Sequence, residues 1–466
     1  MARTAVRLLG VEFRPTMKVY SLASIAGVVS ALVLLGAVTV RAQSSEPTEH
    51  EPLSLSRLGF KGTAIVKNIA YFAETPNDSR HFYDEGILQV EWARRLASWA
   101  DAKAVIEGRA DDNNFADGVH FEIPDINKHR SYLALKEAVL GVQKEPLRLT
   151  MGKQFFAWGT ADGYNPTDNL NPYDYMDPID REKLGIYSVA AQLTARRANL
   201  VLVVVPVFTP SRVPLTTNRW FPPLPEDITA LSAPRELPPT TAKSMQYAAR
   251  LRGTVGGWDL SLSYYEGFES TPVIRQTTVV VPPGIEVPEF TPVFTRMRVA
   301  GFDFSTTFGK LEVHGEAAAK FVVQNGRDDR LQAIMGVNYT WDDLRLRWLE
   351  QIHVIVEYAR QEIFATVPHS DVLPQTEVLA LPNNAFTDAI IGRLLFKFTE
   401  ATQLELAGTV NFVNSANYYQ KVALTHKLTD AFHVTAGFDI LGGARDTFWG
   451  RWRNNDRVYC FLKYFF

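Results

Sequence analysis

The sequence predicts an all-β fold, a transmembrane antiparallel up-and-down β-barrel of about 18 strands, with 16 as the alternative count. Three observations carry this reading. After residue 42 no run is long enough for a spanning helix; the most apolar, residues 200–208, is short and contains Pro206. The rest of the chain divides into stretches of about 9 to 11 residues whose connections alternate between short and long. The last ten residues alternate apolar and mixed side chains at period 2 and end on Phe466. A chain that crosses lipid without helices must close its sheet, because lipid satisfies no free backbone group.

The first 42 residues read as a secretion signal. Arg3, Arg7, Arg14 and Lys18 precede an apolar run over residues 19–40, and Val40-Arg41-Ala42 is a small-residue cleavage site. The run is long for a signal, so an uncleaved anchor is the alternative, and Met17 competes with Met1 as the start. Residues 43–58 form a short polar leader, and residues 59–466 the barrel. Loss of residues 1–42 removes Arg3, Arg7, Arg14, Lys18 and Arg41 against Glu12, leaving 43 basic and 50 acidic residues, or −7. No basic excess remains for nucleic acid. The single cysteine, Cys460, excludes a disulfide framework and fits a small lipid-facing position.

Short turns are expected near residues 97–101, 141–146, 194–199, 253–257, 308–310, 341–343, 399–402 and 427–431. Longer connections are expected at 73–84, 112–129, 156–183, 209–243, 268–295, 323–330, 361–387, 412–417 and 442–455. Strict alternation places both termini on one side, with tight turns there and long loops outside. The faces agree. Leu147, Leu149 and Met151 alternate with Arg148, Thr150 and Gln154; Leu311, Val313, Ala317 and Phe321 alternate with Glu312, His314, Glu316 and Lys320. A soluble sandwich alternates too. Trp99, Trp258 and Trp341 at short turns, and full charges in mid-strand, favour an aromatic girdle and a wet lumen. Two segments fit badly. Val201, Val203 and Val205 leave residues 200–205 with no polar face, and Glu350 interrupts the apolar face of 346–358, which suggests a helical start or a bulge.

At the C-terminus, Val458, Cys460, Leu462, Tyr464 and Phe466 share one face. This ending resembles the terminal strand of Gram-negative outer-membrane β-barrels. The resemblance implies that Leu462, Tyr464 and Phe466 close the barrel against the first strand and are read by the barrel assembly machinery. An unpaired strand this apolar is an aggregation hazard, so an edge strand of a soluble sheet is the weaker reading.

The third long connection is the most distinctive. Residues 152–175 contain Gly152-Lys153-Gln154, Trp158-Gly159, Asp162-Gly163, and the pairs Asn165-Pro166 and Asn171-Pro172, each followed two residues on by an aspartate. Such Asx, Gly and Pro residues are turn formers. The pattern resembles a stretch found in poorly characterised porin-like outer-membrane barrels, and it covers only these residues. In porins the third external loop folds inward and narrows the bore. Here it carries Asp162, Asp168, Asp174 and Asp177, while the lumen face of the strands offers Lys103, Arg109, Lys136, Arg148, Arg250, Arg252 and Lys320. Acidic loop against basic wall implies a transverse field at a constriction. The competing expectation is a rigid outer loop with its charges in water. The Asx oxygens also raise calcium, but no Asp-x-Asp-x-Asp-Gly loop with a Glu at its twelfth place exists. The loops over 209–243 and 268–295 are proline-rich and read as stiff, exposed segments.

Nine histidines form no nucleophile or zinc motif. His314, flanked by Glu312 and Glu316 on one strand face, reads as pore lining rather than an acid–base set. The leader is too short for a folded plug. We therefore expect no enzyme, no cofactor and no resident metal. The expectation is a porin-like channel in the outer membrane of a Gram-negative bacterium. It passes small polar or charged solutes, contacts outer-membrane lipid, and by analogy forms a homo-oligomer. The alternative, from another class, is a non-conducting barrel that acts as scaffold or carries lipid or hydrophobic cargo in an envelope complex. A rim hydrolase is a third reading. The solute, ion preference and gating are not written in the sequence.

Overall fold

The computed structural model describes residues 59–466, apart from 114, 121, 122, 124, 222–230, 327, 343, 345, 347, 367–370 and 374–384. The expected signal and leader lie outside the described residues. Eighteen strands form one closed antiparallel barrel. In chain order they are β1 Phe60–Tyr71, β2 Phe82–Ala97, β3 Ala100–Asp111, β4 Leu133–Lys144, β5 Leu147–Gln154 and β6 Ile186–Ala195. There follow β7 Ala198–Val205, β8 Gln246–Val255, β9 Trp258–Phe268, β10 Arg296–Phe308, β11 Leu311–Gln324 and β12 Asp328–Trp341. The last six are β13 Gln351–Thr366, β14 Asp388–Lys397, β15 Thr402–Asn411, β16 Asn417–Lys427, β17 Phe432–Gly442 and β18 Arg457–Phe465.

Each strand pairs with its neighbours in sequence, and β1 pairs with β18, so the ladder has no free edge. Leu462 lies opposite Val66 and Tyr464 opposite Ala64. The Gly62 N–H donates to the Phe466 carbonyl at 2.8 Å, and the Phe466 N–H returns to Gly62 at 3.0 Å. The last residue therefore belongs to the seam. No helix among the described residues is long and apolar enough to cross a membrane.

Side-chain alternation decides which way each strand faces. Leu147, Leu149, Met151, Leu262, Phe302, Met335, Val356 and Val458 stand exposed on the outer wall. Glu107, Arg109, Ser261, Asp303, Glu316, Asn338, Glu357 and Arg457, at inward positions of the strands, are buried on the inner one. A polar interior behind an apolar exterior inverts a soluble core and is what lipid outside and water inside select. Trp99, Trp258 and Trp341 are exposed at the short-turn end, joined by Phe308 and Trp348.

Three local expectations need correction. The connection expected at 323–330 is a tight turn, because β11 runs to Gln324 and β12 starts at Asp328. Asn325, at φ +53°, supplies the left-handed residue that such a turn requires. Glu350 neither bulges a strand nor starts a helix. It sits in the short-side connection just before β13, with its N–H on the Lys397 carbonyl at 2.8 Å and its carboxylate 3.4 Å from Lys397 Nζ. The proline-rich fifth loop is not an unpaired segment, although its tip is exposed at Val280 and Ile285. Val273–Val281 and Ile285–Val293 form a β-hairpin, with Val273 and Val293 buried against Val372. Its β-branched residues outweigh its prolines.

Candidate functional site

The third loop, residues 155–185, makes contacts with two separate walls of the barrel. Its first half runs to β10–β13. Glu316 of β11 accepts the Ala161 N–H at 2.7 Å, the Asn165 side-chain amide at 2.9 Å and the Thr167 hydroxyl at 2.8 Å; it also accepts the Thr160 N–H. Glu357 of β13 accepts the Asp162 N–H at 2.7 Å and the Gly163 N–H at 2.8 Å. Two buried carboxylates thus hold four consecutive backbone N–H groups. Charge-assisted bonds of this kind are about twice as strong as neutral ones. Gly159 is required here, at φ +97°, since a Cβ would lie 2.3 Å from the Glu316 carboxylate.

The second half of the loop runs to β1, β3, β4 and β18. Asp180 pairs with Lys67 at 2.6 Å. Glu182 takes Arg109 at 2.9 Å and Lys136 at 3.1 Å. Asp177 pairs with Arg457, which also holds Asp439 at 2.6 Å. Arg130, before β4, binds Asp174 at 3.0 Å and Glu85 of β2 at 2.8 Å.

The loop's apolar residues account for the strand without a polar face. Val203 and Val205 of β7 are buried against Trp158 and Leu170, together with Ile186, Tyr265, Met297 and Val299. Tyr164 packs on Ile334 and Ala359 and stacks on Phe386 at 4.8 Å. An inward valine here faces protein rather than water, so it needs no polar neighbour.

Electrostatics set these contacts. Burial raises the Glu182 carboxyl, but Arg109 and Lys136 outweigh it and hold it well below the usual carboxylate range. Burial likewise opposes Arg130 and Arg212 at Asp174, and Lys67 at Asp180, and in both cases the cations win. Asp168 goes the other way: burial outweighs Lys183 and pushes it up.

Of the four loop carboxylates expected to face solute, only Asp162 is exposed. Asp168 is tied to Lys183 inside the loop. Asp174 is buried between Arg130 and Arg212, and Asp177 is closed off by Arg457. Asp162 moreover meets a wall of Glu312, Glu316 and Glu357 rather than a basic one. Of the wall cations, Arg109 and Lys136 reach the loop, through Glu182. Lys103 pairs with Glu137 at 2.8 Å, Arg148 with Asp101 at 2.9 Å, Arg250 with Asp303 at 3.0 Å and Arg252 with Asp259 at 3.2 Å. Lys320 is buried on β11 opposite Arg330.

Two cavities border the loop. One, of about 460 Å³, is lined by Arg148, Arg250, Arg252, Phe156 and Trp158. The other, of about 560 Å³, is lined by Lys67, Lys136, Glu182, His433 and Phe461. Sequence reasoning missed Lys67, Glu85, Arg457 and Glu357, and it placed Glu316 on the inner face and Glu182 in the acidic loop without their partners. The readable signal was full charges at inward positions of strands. What hid their role is that loop and wall pair across separations from 44 residues, at Arg130–Asp174, to 280, at Arg457–Asp177.

His314 is fully buried on the inner face of β11. It bonds Glu357 through Nε2 at 2.9 Å, not its strand neighbours Glu312 and Glu316. The two residues flank Gly336 of β12 in one cross-strand row.

No protein-family model and no curated protein matches the sequence. Among solved structures, the chain is similar to OccK11 (OpdR) of Pseudomonas aeruginosa at 9% identity and TM-score 0.47, over 87% of this chain and 95% of that one. It is similar to a loop L8 deletion mutant of OmpT, an outer membrane protein of Vibrio cholerae, at 11% identity and TM-score 0.41, over 87% and 98%. A mutant porin of Rh. blastica aligns at 8% identity and TM-score 0.39, over 87% and 99%.

Proposed function

We propose that the protein is a channel of the outer membrane of a Gram-negative bacterium, through which small polar or charged solutes diffuse, with the third loop as its constriction. One observation carries this reading: a loop pinned to opposite walls of a barrel that is apolar outside and charged inside. Lipid accounts for the outer wall, and hydrated solute for the inner one. Such a channel performs no chemical step. Specificity rests on the charges left facing the bore, of which Arg252 and Asp162 are exposed.

A second reading is favoured by a separate observation. The fourth and ninth loops also pack together, with Trp220, Phe448, Trp449 and Trp452 buried in one cluster. Arg219 ties them to the first loop through the Ala73 carbonyl at 2.7 Å and Asn455 Oδ1 at 2.9 Å. Outer loops tied together in this way suit a non-conducting barrel in an envelope complex. Purified full-length protein in a planar bilayer separates the two. Ohmic single-channel steps support the channel, and inserted but silent barrels support the scaffold.

A further inference from the structure

We propose that Asp162, His314 and Glu357 form a site for a divalent transition-metal ion of the Zn²⁺ type, which joins the tip of the third loop to the wall of β11–β13. Their ligand atoms lie within 4.8 Å of one another. One imidazole nitrogen with two carboxylates suits Zn²⁺, Co²⁺ or Ni²⁺ rather than the harder Ca²⁺ or Mg²⁺. Two carboxylates also offset the charge of a divalent ion.

The geometry is built for it. His314 Nε2 and Glu357 Oε1 are 2.9 Å apart with both side chains fully buried. In a tetrahedral site with bonds of about 2.0–2.2 Å the two atoms stand about 3.3–3.6 Å apart, so the pair opens by roughly half an ångström to admit the ion. Space for the pair exists because β12 places Gly336 between them. A Cβ there would lie 2.5 Å from His314 Nε2 and 2.6 Å from Glu357 Cγ. Glu357 is already oriented by the N–H groups of Asp162 and Gly163, so the loop tip and its carboxylate ligand are set together. Asp162, exposed and on the loop, lies within 4.8 Å of the other two and closes on them to complete the set.

A second observation points to a missing ligand. The Oδ1 of Asn338, which is buried and whose amide nitrogen donates to Asp162 Oδ2 at 3.0 Å, has no hydrogen-bond partner among the described residues. An unpartnered amide oxygen thus sits beside Asp162 at the edge of the cluster. Buried polar atoms without partners are rare and mark places where an ion or ordered water completes the shell. On binding, the metal takes the place of the proton shared by His314 and Glu357, which is released to solvent. The ring keeps one proton on Nδ1 and bonds through Nε2.

The test uses the full chain, folded in detergent and stripped with EDTA, titrated with ZnCl₂ by calorimetry and with Co²⁺ by visible absorption. One equivalent is expected to bind. Asp162→Asn and His314→Ala are each expected to weaken it at least about tenfold, while His426→Ala, on an exposed ring, leaves it unchanged. Heat-modified gel mobility reports folding, and should His314→Ala fail to fold, Asp162→Asn alone decides. Absence of binding, or binding unaffected by Asp162→Asn, overturns the proposal. Because the readout is metal binding, the result is independent of whether the barrel conducts.

Discussion

Glu316 shows how much one side chain decides. It accepts from two backbone N–H groups, one amide and one hydroxyl of the third loop. Glu316→Gln keeps the shape but turns one acceptor into a donor aimed at donors. The expected cost is about 2–3 kcal/mol of loop docking, read as faster amide exchange over residues 159–167 with the barrel strands unchanged. Gly159→Ala should loosen the same stretch by about 1–3 kcal/mol, because the φ of +97° and the 2.3 Å approach to Glu316 both exclude a Cβ. An exchange pattern indistinguishable from wild type in both variants would contradict this account of the tip.

The loop as an element is held by a dry patch on one side and ion pairs on the other. Trp158→Ala should cost about 3–5 kcal/mol of docking. It opens a void against Val203 and Val205, and proteolysis within residues 155–185 reports the effect. The ion pairs make docking depend on pH. Asp174, Asp180 and Glu182 have folded-state values below the ordinary ones. Their stabilisation is full above the ordinary carboxylate range, about 4, and is lost as the pH falls through the lowered values. Exchange protection of residues 174–182, corrected for the intrinsic rate, should hold from pH 8 to 5 and decline below about 4. A flat profile into strong acid would show that these pairs do not hold the loop.

At this scale the sequence was readable in part. Asx-Pro and Asp-Gly pairs marked the loop, and the all-valine face of β7 marked the wall it covers. Asp177, Asp180 and Glu182 pair with wall cations, whereas Asp162 meets carboxylates that accept backbone N–H groups. Composition counts side-chain charge, and backbone donors are invisible to it. Period-2 alternation was legible wherever one face meets lipid, because the other face then shows its charges. It failed at residues 323–330, where Asn325 makes a turn far tighter than the flanking polar residues suggest.

For the whole molecule, closure is the claim on which the rest depends. Residues Leu462, Tyr464 and Phe466 bring β18 to β1, and Phe466 exchanges two backbone hydrogen bonds with Gly62. Removing Phe466 should lower the yield of heat-modifiable, folded barrel while leaving the residue-scale contacts intact in the molecules that fold. The most direct test of the account is single-channel conductance in a planar bilayer of wild type beside the doubly substituted Glu316→Gln, Glu357→Gln protein. Wild type is expected to give discrete ohmic steps, and the variant larger and noisier ones, because the third loop no longer stays against β10–β13. Identical steps from the two proteins, or none from either once insertion is verified, would contradict it.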